Sequence, residues 1–188
     1  WVRDTIAPGT DFDTLMLEAA AVPPGSEGAV FLPYLAGERC PHADPDARGA
    51  WIGLSARHTR GHLVRAVLEG VAIGMREVLD LVDPSPTAAP APETPIRLGG
   101  GGARSPLWRG ILADALARPL ELPRTEEGPA FGAALIAGVA CGIFDSLPRA
   151  CRDTIETIPA AAPSPDGIAV MAATARRYAA LYPALRGI

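Results

Sequence analysis

Apolar residues recur in two registers along this chain. Between residues 60 and 82 they fall at Leu63, Val67, Val71, Val78 and Val82, near the helical period. The spacing predicts one long helix over 60–82, with Thr59 as its N-cap. Each such side chain, if fully buried, contributes roughly 1.5–3 kcal/mol. Gly70 and Gly74 lie four apart on one face of it. Glycine weakens a helix, so the expected use of the two is close approach of a neighbouring backbone. Elsewhere apolar residues come in short blocks. Residues 29–35 (AVFLPYL) predict a buried strand, shortened or bulged by Pro33, and 51–54, 96–98 and 119–123 (PLELP) predict three more. Further helices are expected over 11–21, capped by Asp11 and stopped by Pro23-Pro24-Gly25, and over 106–117, where Ser105 is the cap and Pro106 the first helical residue. Residues 128–141 predict a small-residue helix, buried and tightly packed, and 168–182 a last one ending near Pro183. Between them lie a polar loop over 37–50, a Pro- and Ala-rich exposed linker over 83–95, and a loop over 159–167. Strands alternating with helices predict an α/β domain.

Composition narrows the function classes. The 188 residues, 48% hydrophobic and 20% charged, suit one globular domain with a real core. A net charge of −4 supplies no basic field, so nucleic acid is not an expected partner. No apolar run approaches the ~18 residues that span a membrane, so no membrane partner is expected either. The chain opens on Trp1 without the pattern of a signal peptide, which reads as a start within a longer gene. Cys40, Cys141 and Cys151 are an odd set without CxxC spacing, which argues against a disulfide framework or zinc site and for the reducing cytoplasm.

The densest chemistry is Gly99-Gly100-Gly101-Gly102, between the strand at 96–98 and the helix capped by Ser105. Without β-carbons the backbone can approach a ligand closely, and a helix start turns unpaired N–H groups outward. The alternative is a tight turn with close strand–helix packing. The P-loop pattern fails, since no Gly-Lys-Ser/Thr follows. The dinucleotide fingerprint comes nearer: Gly100-x-Gly102 fits its first half, Ser105 takes the third glycine's place, and Glu121 stands near the position of a ribose-binding acid. An NAD-binding module of an oxidoreductase therefore stays open on spacing alone.

Other residues read as structural. His58 and His62 lack a third ligand in the pattern and are expected to cap or face solvent. Arg39 and Arg48 would brace the 37–50 loop, which also holds His42, Asp44 and Asp46. Glu69 interrupts an apolar helix and needs a partner, with Arg65 and Arg76 as candidates. Asp114 is expected to be a helix-surface or packing residue. No Ser/His/Asp or Cys/His pattern suggests a hydrolase.

Four stretches carry a family resemblance. They are FLPYLAGERCPHADPDARGAWIGL (31–54), HLVRAVLEGVAIGMRE (62–77), LGGGGARSPLWRGILADALARPLELP (98–123) and EEGPAFGAALIAGVACG (126–142). In order, spacing and composition they resemble the FGGY family of carbohydrate kinases, most nearly its xylulokinases. The resemblance implies a ribonuclease H-like, actin/Hsp70-type ATPase domain, incomplete at its N-terminal strands, with residues 1–188 as part of a C-terminal nucleotide-binding domain. It implies ATP and Mg2+, with the metal ligands mostly in an absent N-terminal domain that also brings the catalytic aspartate and the sugar site. Carried over, it puts Gly100, Gly101 and Gly102 at phosphate and ribose and Ser105 near the base. It assigns no catalytic residue and no metal ligand to this chain. Its 37–50 loop would lie near the domain interface with a structural or gating role. The reaction implied is transfer of the γ-phosphoryl group of ATP to a pentulose, D-xylulose to D-xylulose 5-phosphate, with this chain inactive alone. Homodimers are common in the family. Loss of upstream strands would leave a sheet edge uncovered and the isolated chain prone to associate. A non-catalytic assembly domain built on a kinase relic is the remaining alternative.

Overall fold

The computed structural model describes residues 1–82, 94–124 and 128–187, so most of the linker expected over 83–95 lies outside the described residues. Helix α1 (Val2–Ile6) leads to α2 (Phe12–Ala20), whose start is fixed by the Asp11 carboxylate accepting the Thr14 N–H at 2.7 Å. Strand β1 (Val30–Leu32) stops at Pro33 and pairs antiparallel with β2 (Ala50–Ile52), Val30 opposite Ile52. Helix α3 (Arg60–Val82) has the expected bounds and crosses β1. Strand β3 (Ile96–Arg97) then runs parallel to β4 (Leu120–Pro123), with α4 (Pro106–Leu116) as the crossover between them. After α5 (Gly128–Ala140) and α6 (Leu147–Thr154), β5 (Thr157–Ala161) joins the free side of β4, antiparallel, giving the order β3-β4-β5. Helices α7 (Pro165–Ala179) and α8 (Leu181–Leu185) finish the described chain.

One core joins these pieces. Leu32 and Tyr34 from the first sheet and the residues after it, Ile73 of α3, Leu112 and Leu116 of α4, Leu120 of β4 and Met171 and Tyr178 of α7 are all buried together. A smaller cluster of Ala7, Leu15, Ala19 and Val64 seats α2 on α3. At Gly70 the expected close approach is present, since a β-carbon there would run into the carbonyl of Phe31 on β1. At Gly74 the neighbour is a side chain instead, the Tyr178 hydroxyl, 3.3 Å from where a β-carbon would stand.

Several expectations are corrected. The buried face of α3 holds Val64, Ala66, Ala72 and Ile73, whereas Val71, Val78 and Val82 are 36%, 38% and 77% exposed. α2, β1 and α4 pack on a face rotated away from the valine stripe. α5 is not enclosed either: only Leu135 and Gly138 of its described residues are buried, and Ile136 is 61% exposed. The loop expected from 159 begins inside β5, where Pro159 lies opposite Glu121. A proline survives there because, among the described residues, β5 is bonded to β4 alone and its outer side needs no donor. α7 starts three residues before the expected 168, on Ser164, whose hydroxyl accepts the Gly167 N–H at 3.0 Å.

Candidate nucleotide site

The glycine turn follows from its ends. β3 delivers the chain alongside β4, where the Leu98 N–H donates to the Glu121 carbonyl at 2.9 Å. Gly100 then takes φ 85 and ψ 174, a backbone region open essentially to glycine alone. A 3-10 turn over Gly101–Arg104 follows, tied by Ala103 N–H to Gly100 O (3.0 Å) and Ser105 N–H to Gly102 O (3.2 Å). Ser105 closes the turn and opens α4, its hydroxyl accepting the Trp108 N–H at 3.3 Å with Pro106 in the first helical turn.

This turn forms one wall of a cleft of about 880 Å³. Leu122 and Pro123 at the end of β4, Phe131, Leu135 and Ile136 of α5, and Leu147 of α6 make the apolar remainder. Arg97, Arg104 and Arg109 bring positive charge to it, and Glu156 is the one carboxylate among its described lining residues. An apolar slot beside glycine backbone and arginines suits a molecule with a flat apolar end and an anionic end.

Gly100 and Gly101 lie in the cleft wall together with Gly99, and Gly102 and Ser105 belong to the same turn without being among the lining residues. A β-carbon on Gly102 would sit 3.5 Å from the Trp108 indole, and the Ser105 hydroxyl accepts the Trp108 N–H. At Gly99 and Gly101 an added β-carbon would meet nothing within 4 Å, and neither has a positive φ. Packing within the described chain thus does not require glycine at these two positions.

Sequence reasoning missed the far wall. The sequence predicts packing for the small-residue helix that holds Phe131, Leu135 and Ile136, and it predicts no element over α6, which brings Leu147, Cys151 and Thr154. The available signal was the apolar character of 128–141, which here faces a cavity instead of a core.

The remaining candidates are structural. Glu121 accepts from Arg97 Nε and Thr157 Oγ1, both at 2.8 Å, and the Arg97 bond above all holds its carboxyl below the usual glutamate range. His62 Nδ1 accepts the Thr59 N–H at 3.1 Å and lies 2.9 Å from its hydroxyl, one half of a capping box, while the His62 backbone N–H donates to the Thr59 backbone carbonyl at 3.0 Å. His58 Nδ1 accepts the Ser55 N–H at 2.8 Å. Among the described residues no group of three or more His, Cys, Asp or Glu converges on a metal position. His42 stacks on Tyr182 with ring centroids 3.7 Å apart, and Tyr182 donates to Asp44 at 2.8 Å, tying the 37–50 loop to α8. Arg48 donates to the Pro45 and Ala47 carbonyls within that loop. Glu69 is paired with Arg65, whereas Arg76 turns instead to Asp80 (2.7 Å) and the Ala115 carbonyl (3.2 Å). Asp114 accepts the Ser164 N–H at 2.8 Å, holding the start of α7 against α4.

Comparison with known proteins adds an independent line. The model of the FGGY family of carbohydrate kinases, C-terminal domain, matches residues 1–141. A xylulose kinase from Lactococcus lactis subsp. lactis is 39% identical over 147 residues, 78% of this chain and 29% of the relative. A gluconokinase from Bacillus subtilis is 37% identical over 78% of this chain and 30% of its own length. The crystal structure of xylulose kinase from Rhodospirillum rubrum superposes with a TM-score of 0.83 at 36% identity, covering 98% of this chain and 37% of that one. The chain therefore spans about 30% of the length of the curated relatives it matches.

Proposed function

The chain belongs to the FGGY family of carbohydrate kinases, with the ribonuclease H-like fold of actin/Hsp70-type ATPases, and on that premise we propose that it is the nucleotide-binding part of an ATP-dependent sugar kinase. The carrying observation is the pair Gly99 and Gly101, glycines in a cleft wall where packing leaves room for a β-carbon. Their bare backbone serves close approach of a ligand, the nucleotide, with its base toward Phe131 and Leu135 and its phosphates toward Gly100, Gly101, Arg97 and Arg104. Gly102 continues the turn toward the ribose beside Trp108, and Ser105, the cap of α4, keeps its O–H to donate toward the base.

The reaction is in-line transfer of the γ-phosphoryl group of ATP to a sugar hydroxyl. This chain's part is to bind and orient the nucleotide. A divalent metal, Mg2+ by expectation, neutralises charge on the phosphates. Glu156 is the one carboxylate among the described lining residues, so Mg2+ would be held chiefly by the phosphates and by carboxylates outside this cleft. The aspartate that accepts the sugar proton belongs to that other part too, so this chain alone has no kinase activity. The acceptor we favour is D-xylulose, on the similarity to xylulose kinases, although a gluconokinase stands at comparable identity. An NAD-binding role draws no support: Glu121 is engaged by Arg97 and Thr157, and the relatives named above are kinases.

The test is ADP release by the full-length protein with Mg2+ and a panel of D-xylulose, gluconate and glycerol. Release that depends on one sugar is expected, with D-xylulose strongest. Release that no sugar stimulates would overturn the reading, and preference for gluconate or glycerol would replace the acceptor alone.

A further inference from the structure

We propose that Arg109 is a positioning residue for the nucleotide, holding the glycine turn in its binding geometry before any nucleotide arrives. The inference rests on the nucleotide reading of the cleft. Arg109 stands in the first turns of α4, and its Nη1 donates to the Ala103 carbonyl at 2.8 Å and the Arg104 carbonyl at 3.3 Å. These are the last two carbonyls of the 3-10 turn that follows the glycines.

The turn needs such a hold. Gly99, Gly100 and Gly101 have no side chains to anchor, and no atom of the described residues lies within 4 Å of where their β-carbons would be. Glycine loses more conformational freedom on ordering than any other residue. Were that ordering to occur on binding, it would be subtracted from affinity; ordering in advance keeps it. A guanidinium fits the task because it is always charged and Nη1 holds its two N–H donors in a fixed plane, where the donors of an ammonium rotate freely.

A purely structural role explains Arg109 poorly. Its Nε is shut off from solvent without an acceptor among the described residues, and a buried unmatched donor is destabilising. Replacing Arg109 with methionine removes that donor while keeping most of the side chain's bulk. The stability of the protein should therefore change little while the turn is released.

The experiment uses the full-length protein, wild type, R109M and R109K. It measures ADP affinity by calorimetry, KM for ATP and for the sugar, kcat, the melting temperature without nucleotide, and hydrogen exchange over residues 99–103. For R109M we expect ADP affinity and KM for ATP worse by about three- to tenfold, the worth of one or two hydrogen bonds. Exchange over 99–103 should be faster without ADP and return to the wild-type rate at saturation, while kcat, the sugar KM and the melting temperature hold. R109K, which keeps the charge without the fixed donor plane, should fall between the two. Wild-type ADP affinity in R109M would overturn the role of Arg109 and leave the cleft reading intact. So would a melting temperature, kcat and sugar KM that all deteriorate together with the affinity. A wild-type protein that binds no adenine nucleotide would remove the cleft reading itself and this proposal with it.

Discussion

Arg65 Nε donates to Glu69 Oε1 across 2.8 Å, one turn apart on α3, with both side chains buried. The same carboxylate oxygen accepts the Gly25 N–H at 2.9 Å, and Arg65 Nη1 reaches the Val22 carbonyl at 2.8 Å and the Ala19 carbonyl at 3.2 Å. The pair thus ties the end of α2 and the turn after it to α3. Removing one partner strands the other charge, so E69L is expected to cost about 3–5 kcal/mol. The double variant R65M/E69L should recover most of that loss. Urea unfolding of the two singles and the double gives the coupling directly.

The same pair makes a pH prediction. Burial, the largest influence, raises the Glu69 carboxyl above its ordinary 4.5, against the lowering pull of the Gly25 N–H and Arg65. A folded value above the unfolded one means the folded state holds this proton more tightly. Its contribution is complete below about 4.5 and is lost as pH rises through the folded value. The stability of wild type relative to E69Q should therefore fall as pH rises out of the acid range and then level off. Urea midpoints from acid to neutral pH check this, and a difference that grows with pH would contradict it.

How far the fold could be read depends on the kind of signal. Ser105-Pro106 announced α4 because a cap and its proline are local chemistry. Ser164-Pro165 carries the same grammar, yet the proline-rich run before it drew attention to a loop instead. Pro159 hid β5, because whether a proline suits a strand depends on which side of the sheet it meets, and sequence does not give that. On α3 the valines marked a helix correctly and its buried face wrongly, since that face is chosen by α2, β1 and α4. At the site, glycine content located one wall of the cleft. The other wall depends on α5 and α6 standing opposite β4, a long-range fact without a local signal.

Gly70 and Gly74 look equivalent in sequence and should separate on mutation. A β-carbon at Gly70 collides with the Phe31 carbonyl, which β1 cannot move without disturbing its pairing with β2. G70A is expected to destabilise by about 1–3 kcal/mol, the range for overpacking. At Gly74 the neighbour is the Tyr178 hydroxyl at 3.3 Å, so only a slight shift is needed. Alanine gains up to about 1 kcal/mol of helix propensity, and G74A should be neutral or stabilising. Thermal and urea unfolding of the two variants decides the matter, and equal losses would contradict it.

Gly100 and Gly101 should separate in the opposite sense, stability against binding. Gly100 sits at φ 85 and ψ 174, where a β-carbon is strained whatever space surrounds it, so G100A is expected to cost about 1–3 kcal/mol. Gly101 has neither a positive φ nor any atom within 4 Å of an added β-carbon, so G101A should stay within about 0.5 kcal/mol of wild type. Yet that methyl group would stand in the wall facing the nucleotide and hold it off the backbone. G101A is therefore expected to melt as the wild type does while binding ADP several-fold more weakly, with KM for ATP raised in step. ADP titration and a thermal melt of the full-length variants provide both readings. Wild-type affinity in G101A would mean that the nucleotide does not approach this residue, and the orientation assigned to it in the cleft would have to be reversed.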